Sequence, residues 1–403
     1  MRVLMINSVC GHGSTGVLCS ELAEKLIEQG DECVVAFGRD NIIPERAKKY
    51  AYRIGTDFEV KLHGIKTRLF DAHGLGSARA TRMFISWIKQ YDPDIIHLHN
   101  LHGYYINIEI LFEYLKTCGK PIVWTMHDCW AFTGHCAHYD YIGCDKWKSG
   151  CRNCPQKNKY PASLGGDASE RNYNIKKELF AKVPNLTLVA PSEWLAEQIK
   201  ESFFEGREIC VINNGIDTEV FKPAESNIKE RFGIPDKKIA LGVAGVWDEY
   251  KGLKHMPAIA QLLGDDWKLV LVGLNREQID EYQKYILGIC RTKNQTELAE
   301  WYSAADVYVN PTLEDTYPTT NLEAQCCGTP VATFNSGGSS ESIYPALKEI
   351  AVCQKESLAD LVSCIKTVSN QNRSSEISAW ARKKFSAQRF ADDYLMLYRR
   401  LIG

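Results

Sequence analysis

The sequence predicts an α/β protein made of two Rossmann-like, doubly wound domains facing a cleft, and three observations support that fold class. Short β-branched runs alternate with helical patterns from end to end, as a parallel sheet with crossover helices demands. The runs are continuously apolar rather than alternating, which suits strands buried on both faces. The length of 403 residues gives two to three domains at one per ~150 residues. A content of 45% hydrophobic and 24% charged residues excludes wholesale disorder.

The first series of expected strands is RVLMINSV (2–9), ECVVAF (32–37), DIIHLH (94–99), PIVWTMH (121–127) and LTLVAPS (186–192). A second series follows as KIALGVAGV (238–246), KLVLVG (268–273), DVYVNPT (306–312) and TPVATF (329–334). The turn-rich stretch NNGIDTEVFKP (213–223) marks the join. The expected domains are therefore 1–217, with a cysteine-rich insertion at 129–160, and 218–386. An amphipathic last helix over 387–403 is expected to cross back to the first domain.

Forty-eight Lys and Arg against 50 Asp and Glu leave a net charge of -2, which gives no signal for nucleic acid. No stretch reaches the ~18 apolar residues that span a bilayer, and residues 1–10 are too short for a signal peptide. A cytoplasmic protein is expected, where cysteines stay reduced. Residues 45–90 break the strand and helix pattern: they carry ten Lys and Arg against four acids, interleaved with aromatic residues. The segment reads either as a solvated helical face or as a patch that attracts a lipid-phosphate acceptor or an anionic membrane surface, as peripheral contact on the cytoplasmic face of the inner membrane.

Three motifs carry chemistry. Gly11-His12-Gly13-Ser14-Thr15-Gly16 follows the first strand as G-x-G-x-x-G, and the amides around Gly13 and Gly16 could hold a phosphate. A dinucleotide site also wants an acid at the end of the second strand, and Asp40 lies past Gly38, poorly placed for it. In the second domain a strand ends at Asn310-Pro311-Thr312, a loop carries Glu314 and Asp315, and a helix begins near Thr319 or Thr320. The helix N-terminus favours a diphosphate, and Glu323, one turn in, could accept hydrogen bonds from ribose hydroxyls or merely pair locally. Third, Cys136, Cys144, Cys151 and Cys154 lie within about 20 residues, the last two as C-x-x-C, with His135 and His138 nearby. That set suggests a structural zinc site, with a disulfide, free thiols or an iron–sulfur cluster as the alternatives.

The acid-x7-Glu spacing of Asp315 and Glu323, followed by A-x-x-C-G-T-P-V, resembles the family 4 glycosyltransferases of the GT-B fold. Asn214-Gly215-Ile216-Asp217, Lys251-Gly252 and Gly337-Gly338-x-x-Glu341 add to the likeness. The sequence EDTYPTTNLEA and the cysteine-rich segment after HDCWAFTGHC are most similar to the bacterial exopolysaccharide branch, of the colanic-acid type. The resemblance implies a hexosyltransferase that takes a UDP- or GDP-sugar donor and retains anomeric configuration without a catalytic metal. It implies a glycan or lipid-linked acceptor, as in polysaccharide, capsule or lipopolysaccharide synthesis.

By that resemblance Glu323 meets the ribose, and Asp315, with Glu314 as its rival, meets sugar hydroxyls. Thr319, Thr320 and Asn321 lie in the diphosphate loop, and Lys251 neutralises the diphosphate. The family's companion arginine is absent, since Val246 stands there; Arg291, with Thr292 in the loop that meets the base, is the substitute. His127 falls near the reaction centre, while His99, His102 and Asp128 are candidate acceptor-side contacts and His97 reads as structural. From other classes, an NAD-dependent oxidoreductase and a noncatalytic nucleotide-sugar-binding scaffold remain the alternatives.

Overall fold

The computed structural model describes residues 1–40 and 42–403. It divides into two compact units, Met1–Asn213 with Phe390–Gly403, and Asn214–Arg389. The division falls four residues ahead of the expected boundary at 217/218, inside the Asn-Asn-Gly turn itself.

The first unit is built on seven parallel strands: β1 (Arg2–Asn7), β2 (Glu32–Phe37), β3 (Ala51–Arg53), β4 (Ile95–Leu98), β5 (Ile122–Thr125), β6 (Leu186–Ala190) and β7 (Ile209–Val211). Their order is β3-β2-β1-β4-β5-β6-β7. Strand order reverses at β1 and β4, and that switch point is where open α/β sheets bind ligands. Alternate residues of β1 enter opposite cores: Leu4 and Ile6 join one cluster, Val3 and Met5 the other. A continuous apolar run is what a sheet covered on both faces requires. The helix Ala387–Ile402 lays Phe390, Tyr394, Leu395 and Tyr398 into the second cluster. Each such burial contributes ~1.5–3 kcal/mol, enough to hold the helix there.

Residues 45–90 do not break the pattern, as the sequence had suggested. They supply the edge strand β3 and the helices Asp57–Phe70 and Ala78–Tyr91 that lead back to β4. Thr56 and Glu59 form a reciprocal capping box at the start of the first of these helices. The three-residue β3 and β7, with half-buried side chains, were missed because they are too short to stand out as strands.

The second unit holds β8 (Lys238–Val243), β9 (Trp267–Val272), β10 (Ile286–Ile289), β11 (Val307–Asn310), β12 (Val331–Phe334) and β13 (Val352–Cys353). All pair in parallel in the order β10-β9-β8-β11-β12-β13, with the switch point at β8 and β11. The edge strands β10 and β13 were not expected; Gly288 interrupts the first, and the second is two residues long. No helix among the described residues is long and apolar enough to cross a membrane.

Candidate functional site

The donor-side residues gather at the switch point of the second sheet. Lys251 lies in the loop after β8, Asp315 in the loop after β11, and Lys251 Nζ donates to Asp315 Oδ2 at 2.6 Å. One further hydrogen bond fixes the loops to each other, Leu313 N to Tyr250 O at 2.7 Å, and Lys251 N donates within its own loop to Asp248 Oδ1 at 2.9 Å. Burial works against the Lys251 charge, but Asp315 outweighs it and raises the ammonium pKa. Two glycines make this approach possible. Gly252 has φ +76, and a Cβ there would lie 2.4 Å from Pro311 O; Gly337 has φ +52, and its Cβ would lie 2.0 Å from Asp315 O. Gly338 N then donates to Asp315 O at 3.0 Å.

The helix Thr319–Cys326 begins just past Asp315. Glu323 accepts from Tyr302 OH at 2.9 Å, and its burial pushes the carboxyl up to about 7 despite that bond. Tyr302 was missed from sequence, where an aromatic in the helix Gln295–Ala304 looks like any core residue. Glu314 is buried at 7% exposure, so Asp315 is the acid that meets Lys251. Asn321 is fully buried: its Oδ1 accepts from Asn310 Nδ2 and its Nδ2 donates to Ser342 Oγ, both at 2.9 Å. Its backbone N–H also donates to Pro318 O. Asn321 therefore braces the loop from behind, whereas Thr319 and Thr320 stay partly exposed. Val246, at the family's arginine position, is 73% exposed. Arg291 and Thr292 follow β10, two strands from β8.

In the first unit the candidate histidines converge. His99, His102, His127 and Asp128 line one narrow pocket with Trp124 and Trp130. His99 Nδ1 and His127 Nε2 lie 3.0 Å apart with nearly parallel rings. Burial lowers the His127 pKa to about 4, so the ring is neutral at physiological pH. His102 sits between Tyr160 OH at 2.9 Å and Asp128 Oδ2 at 2.6 Å. Burial alone would raise the Asp128 carboxyl, yet His102 and the Trp130 amide hold it near 2. His97 is fully buried between Thr125 Oγ1 at 2.8 Å and Tyr398 OH at 2.6 Å. Tyr160 and Tyr398 were not singled out, because the sequence shows their helical or loop setting but not these long-range partners.

The glycine loop after β1 opens the helix Gly13–Glu28. Gly13 takes φ +64, and a Cβ on Gly16 would lie 2.9 Å from Val9 Cγ2, so Gly16 lets the helix close on its strand. Cys136, Cys144, Cys151 and Cys154 line one pocket with His135, yet among the described residues no three His, Cys, Asp or Glu groups stand close enough to hold a metal ion.

Comparisons with known proteins bear on the family and the fold. Residues 15–220 match the family described as Glycosyltransferase Family 4, and residues 238–370 match Glycosyl transferases group 1. The chain is 26% identical, over the full length of both, to an Escherichia coli (strain K12) protein named as the colanic acid biosynthesis glycosyl transferase WcaC. It is 26% identical to a D-inositol 3-phosphate glycosyltransferase of Arthrobacter sp. (strain FB24) over 64% of this chain and 59% of that one. In fold it resembles a sucrose-phosphate synthase from Thermosynechococcus elongatus, with a TM-score of 0.74, 16% identity and coverage of 99% and 98%. It also resembles Anabaena Alr3699/HepE in complex with UDP, with a TM-score of 0.68, 14% identity and coverage of 99% and 100%. With more than half of its residues inside the first match, the chain belongs to Glycosyltransferase Family 4.

Proposed function

We propose that this glycosyltransferase binds a UDP- or GDP-linked sugar on its second unit and transfers the sugar, with retention, to a glycan or lipid-linked acceptor. The observation that carries the reading is Lys251 paired with Asp315 beside the start of the helix Thr319–Cys326. A cation and free helix amides at a sheet switch point favour a diphosphate. Support comes from the HepE structures, described in complex with UDP and with UDP-glucose, and from the colanic-acid name of the Escherichia coli relative. Family membership sets aside the oxidoreductase and scaffold alternatives.

In this reading the diphosphate draws Lys251 from Asp315, leaving that carboxylate to accept from sugar hydroxyls. Glu323 takes the ribose hydroxyls, and Arg291 with Thr292 meets the base. The bond between the anomeric carbon and the phosphate oxygen breaks, and its electron pair stays on the departing diphosphate. The acceptor oxygen bonds to the same face of that carbon, and its proton passes to the departing phosphate oxygen. Lys251 and the helix amides stabilise the charge that develops; no catalytic metal is part of the scheme.

For the acceptor, the helix Asp57–Phe70 supports a membrane-facing reading. Phe58, Leu62, Ile65 and Leu69 are 68%, 49%, 55% and 52% exposed, on one face by their spacing, and Lys61, Lys66 and Arg68 flank them. Such a surface suits a lipid-linked acceptor presented at an anionic bilayer.

The test is sugar transfer and donor hydrolysis by Lys251→Ala and Glu323→Ala. Removing one contact to the leaving group is expected to cost ~10²–10³ in rate, with the circular dichroism spectrum unchanged. Wild-type turnover in both variants would refute the assignment.

A further inference from the structure

Among the buried polar atoms of the first unit that lack a partner, one stands among metal-binding groups that sugar transfer does not use. His135 is 2% exposed; its Nδ1 lies 2.7 Å from Asp71 Oδ1, while its Nε2 is buried without a hydrogen bond. Leaving a buried polar atom unsatisfied is costly. Asp71 is itself fully buried, and its Oδ2 accepts from Ala168 N at 2.9 Å. A carboxylate so fixed accepts a hydrogen bond from Nδ1–H and so keeps the lone pair on Nε2, the arrangement that orients a metal-ligating histidine.

The surroundings of Nε2 match that chemistry. His135 lines a narrow pocket with Cys136, Cys144, Cys151 and Cys154. Cys136 and Cys154 share a thiol hydrogen bond, and Cys151 is close enough to interact with both. Cys154 interacts in turn with His135, whereas Cys144 reaches the group through Cys151.

We propose that His135 Nε2 and the thiolates of Cys136, Cys151 and Cys154 bind one tetrahedral divalent cation of the zinc class, with Cys144 outside the ligand set. No three of these groups yet stand at coordination spacing, so the thiols turn inward on binding to reach ~2.3 Å for sulfur and ~2.0–2.1 Å for nitrogen. Three thiolates and a dication leave one negative charge. Lys176 lies beside it: its buried Nζ donates to Trp130 O at 2.6 Å and Thr133 O at 3.0 Å. The set holds no open position for chemistry, so the cation is structural. It ties down the insertion that ends near Tyr160, whose hydroxyl meets His102.

The experiment measures metal by mass spectrometry in full-length protein purified from zinc-supplemented cells. Wild type and Cys144→Ser should each carry close to one zinc per chain, and Cys151→Ser and His135→Ala less than a tenth of that. Should those two variants fail to fold, cobalt added to demetallated wild type serves instead. Tetrahedral visible bands with thiolate-to-cobalt charge transfer are expected, and they should persist in Cys144→Ser. Zinc-free wild type with no cobalt spectrum overturns the proposal. So does a Cys136–Cys154 disulfide in protein purified anaerobically, or loss of metal on Cys144→Ser with none on His135→Ala.

Discussion

Lys251 and Glu323 show how placement sets a residue's chemistry. Lys251 is held charged by Asp315, so the loop stores a cation on an acid that a diphosphate can replace. Glu323 is the opposite case: burial lifts its carboxyl from 4.5 to about 7. With the folded value above the unfolded one, the native state holds more protons, and stability falls as pH rises from 4.5 through 7. Ribose hydroxyls donate to the carboxylate, so binding of UDP-glucose, whose phosphates do not titrate here, should strengthen about tenfold between pH 6 and 8. Calorimetric titration across that range checks it, and Glu323→Gln should flatten the profile. His127, near 4 by burial, stays neutral throughout and contributes nothing to that slope. Residue identities at these sites were legible because Lys251, Asp315 and Glu323 stand at fixed spacings from glycines and threonines. Their partners were not: Tyr302 on Glu323 and Tyr160 on His102 arise from contacts 21 and 58 residues apart.

At the scale of elements, continuous apolar runs made all nine of the expected strands visible, while the four edge strands lacked that signal. Three of those edges, β3, β7 and β13, are three residues or fewer and only partly buried. Glycines define the site loops more strictly than the acids do. Gly252→Ala should cost ~1–3 kcal/mol, because it combines left-handed backbone with a clash on Pro311 O. Gly233→Ala has φ +66 but nothing within 4 Å, and so supplies the control that isolates backbone strain. Urea unfolding should place the first variant below the second, with donor turnover reduced only in the first. The helix Asp57–Phe70 shows a different limit. Its basic residues were evident in sequence, but the exposure of Phe58, Leu62, Ile65 and Leu69 depends on which face packs inward, around His63 and Thr67. Replacing the four exposed residues by Ser should lower co-sedimentation with anionic-lipid vesicles at least tenfold, at unchanged melting temperature. Equal sedimentation of the variant, or none by wild type, would rule the membrane reading out.

For the whole molecule, two sheets of one topology place their candidate residues at corresponding points, the switch between the first strand of each sheet and its crossover neighbour. The apolar patterning showed two such units in sequence, and the motif order showed which carries the donor residues. What the sequence did not show is the histidine cluster closing on itself, since His99, His102, His127 and Asp128 come from two strand ends that only the parallel register aligns. The central claim is a nucleotide-sugar site organised by Lys251 and Glu323, and ligand-dependent melting tests it most directly. At one hundred times its Kd, a ligand that binds only the native state adds ~2.7 kcal/mol of stability, or a shift of roughly 5–10 °C for a unit of this size. Across a panel of UDP- and GDP-sugars, at least one should raise the melting temperature of wild type by that amount and leave the Lys251→Ala/Glu323→Ala double variant unmoved. No shift with any donor, or an undiminished shift in the double variant, would contradict the account.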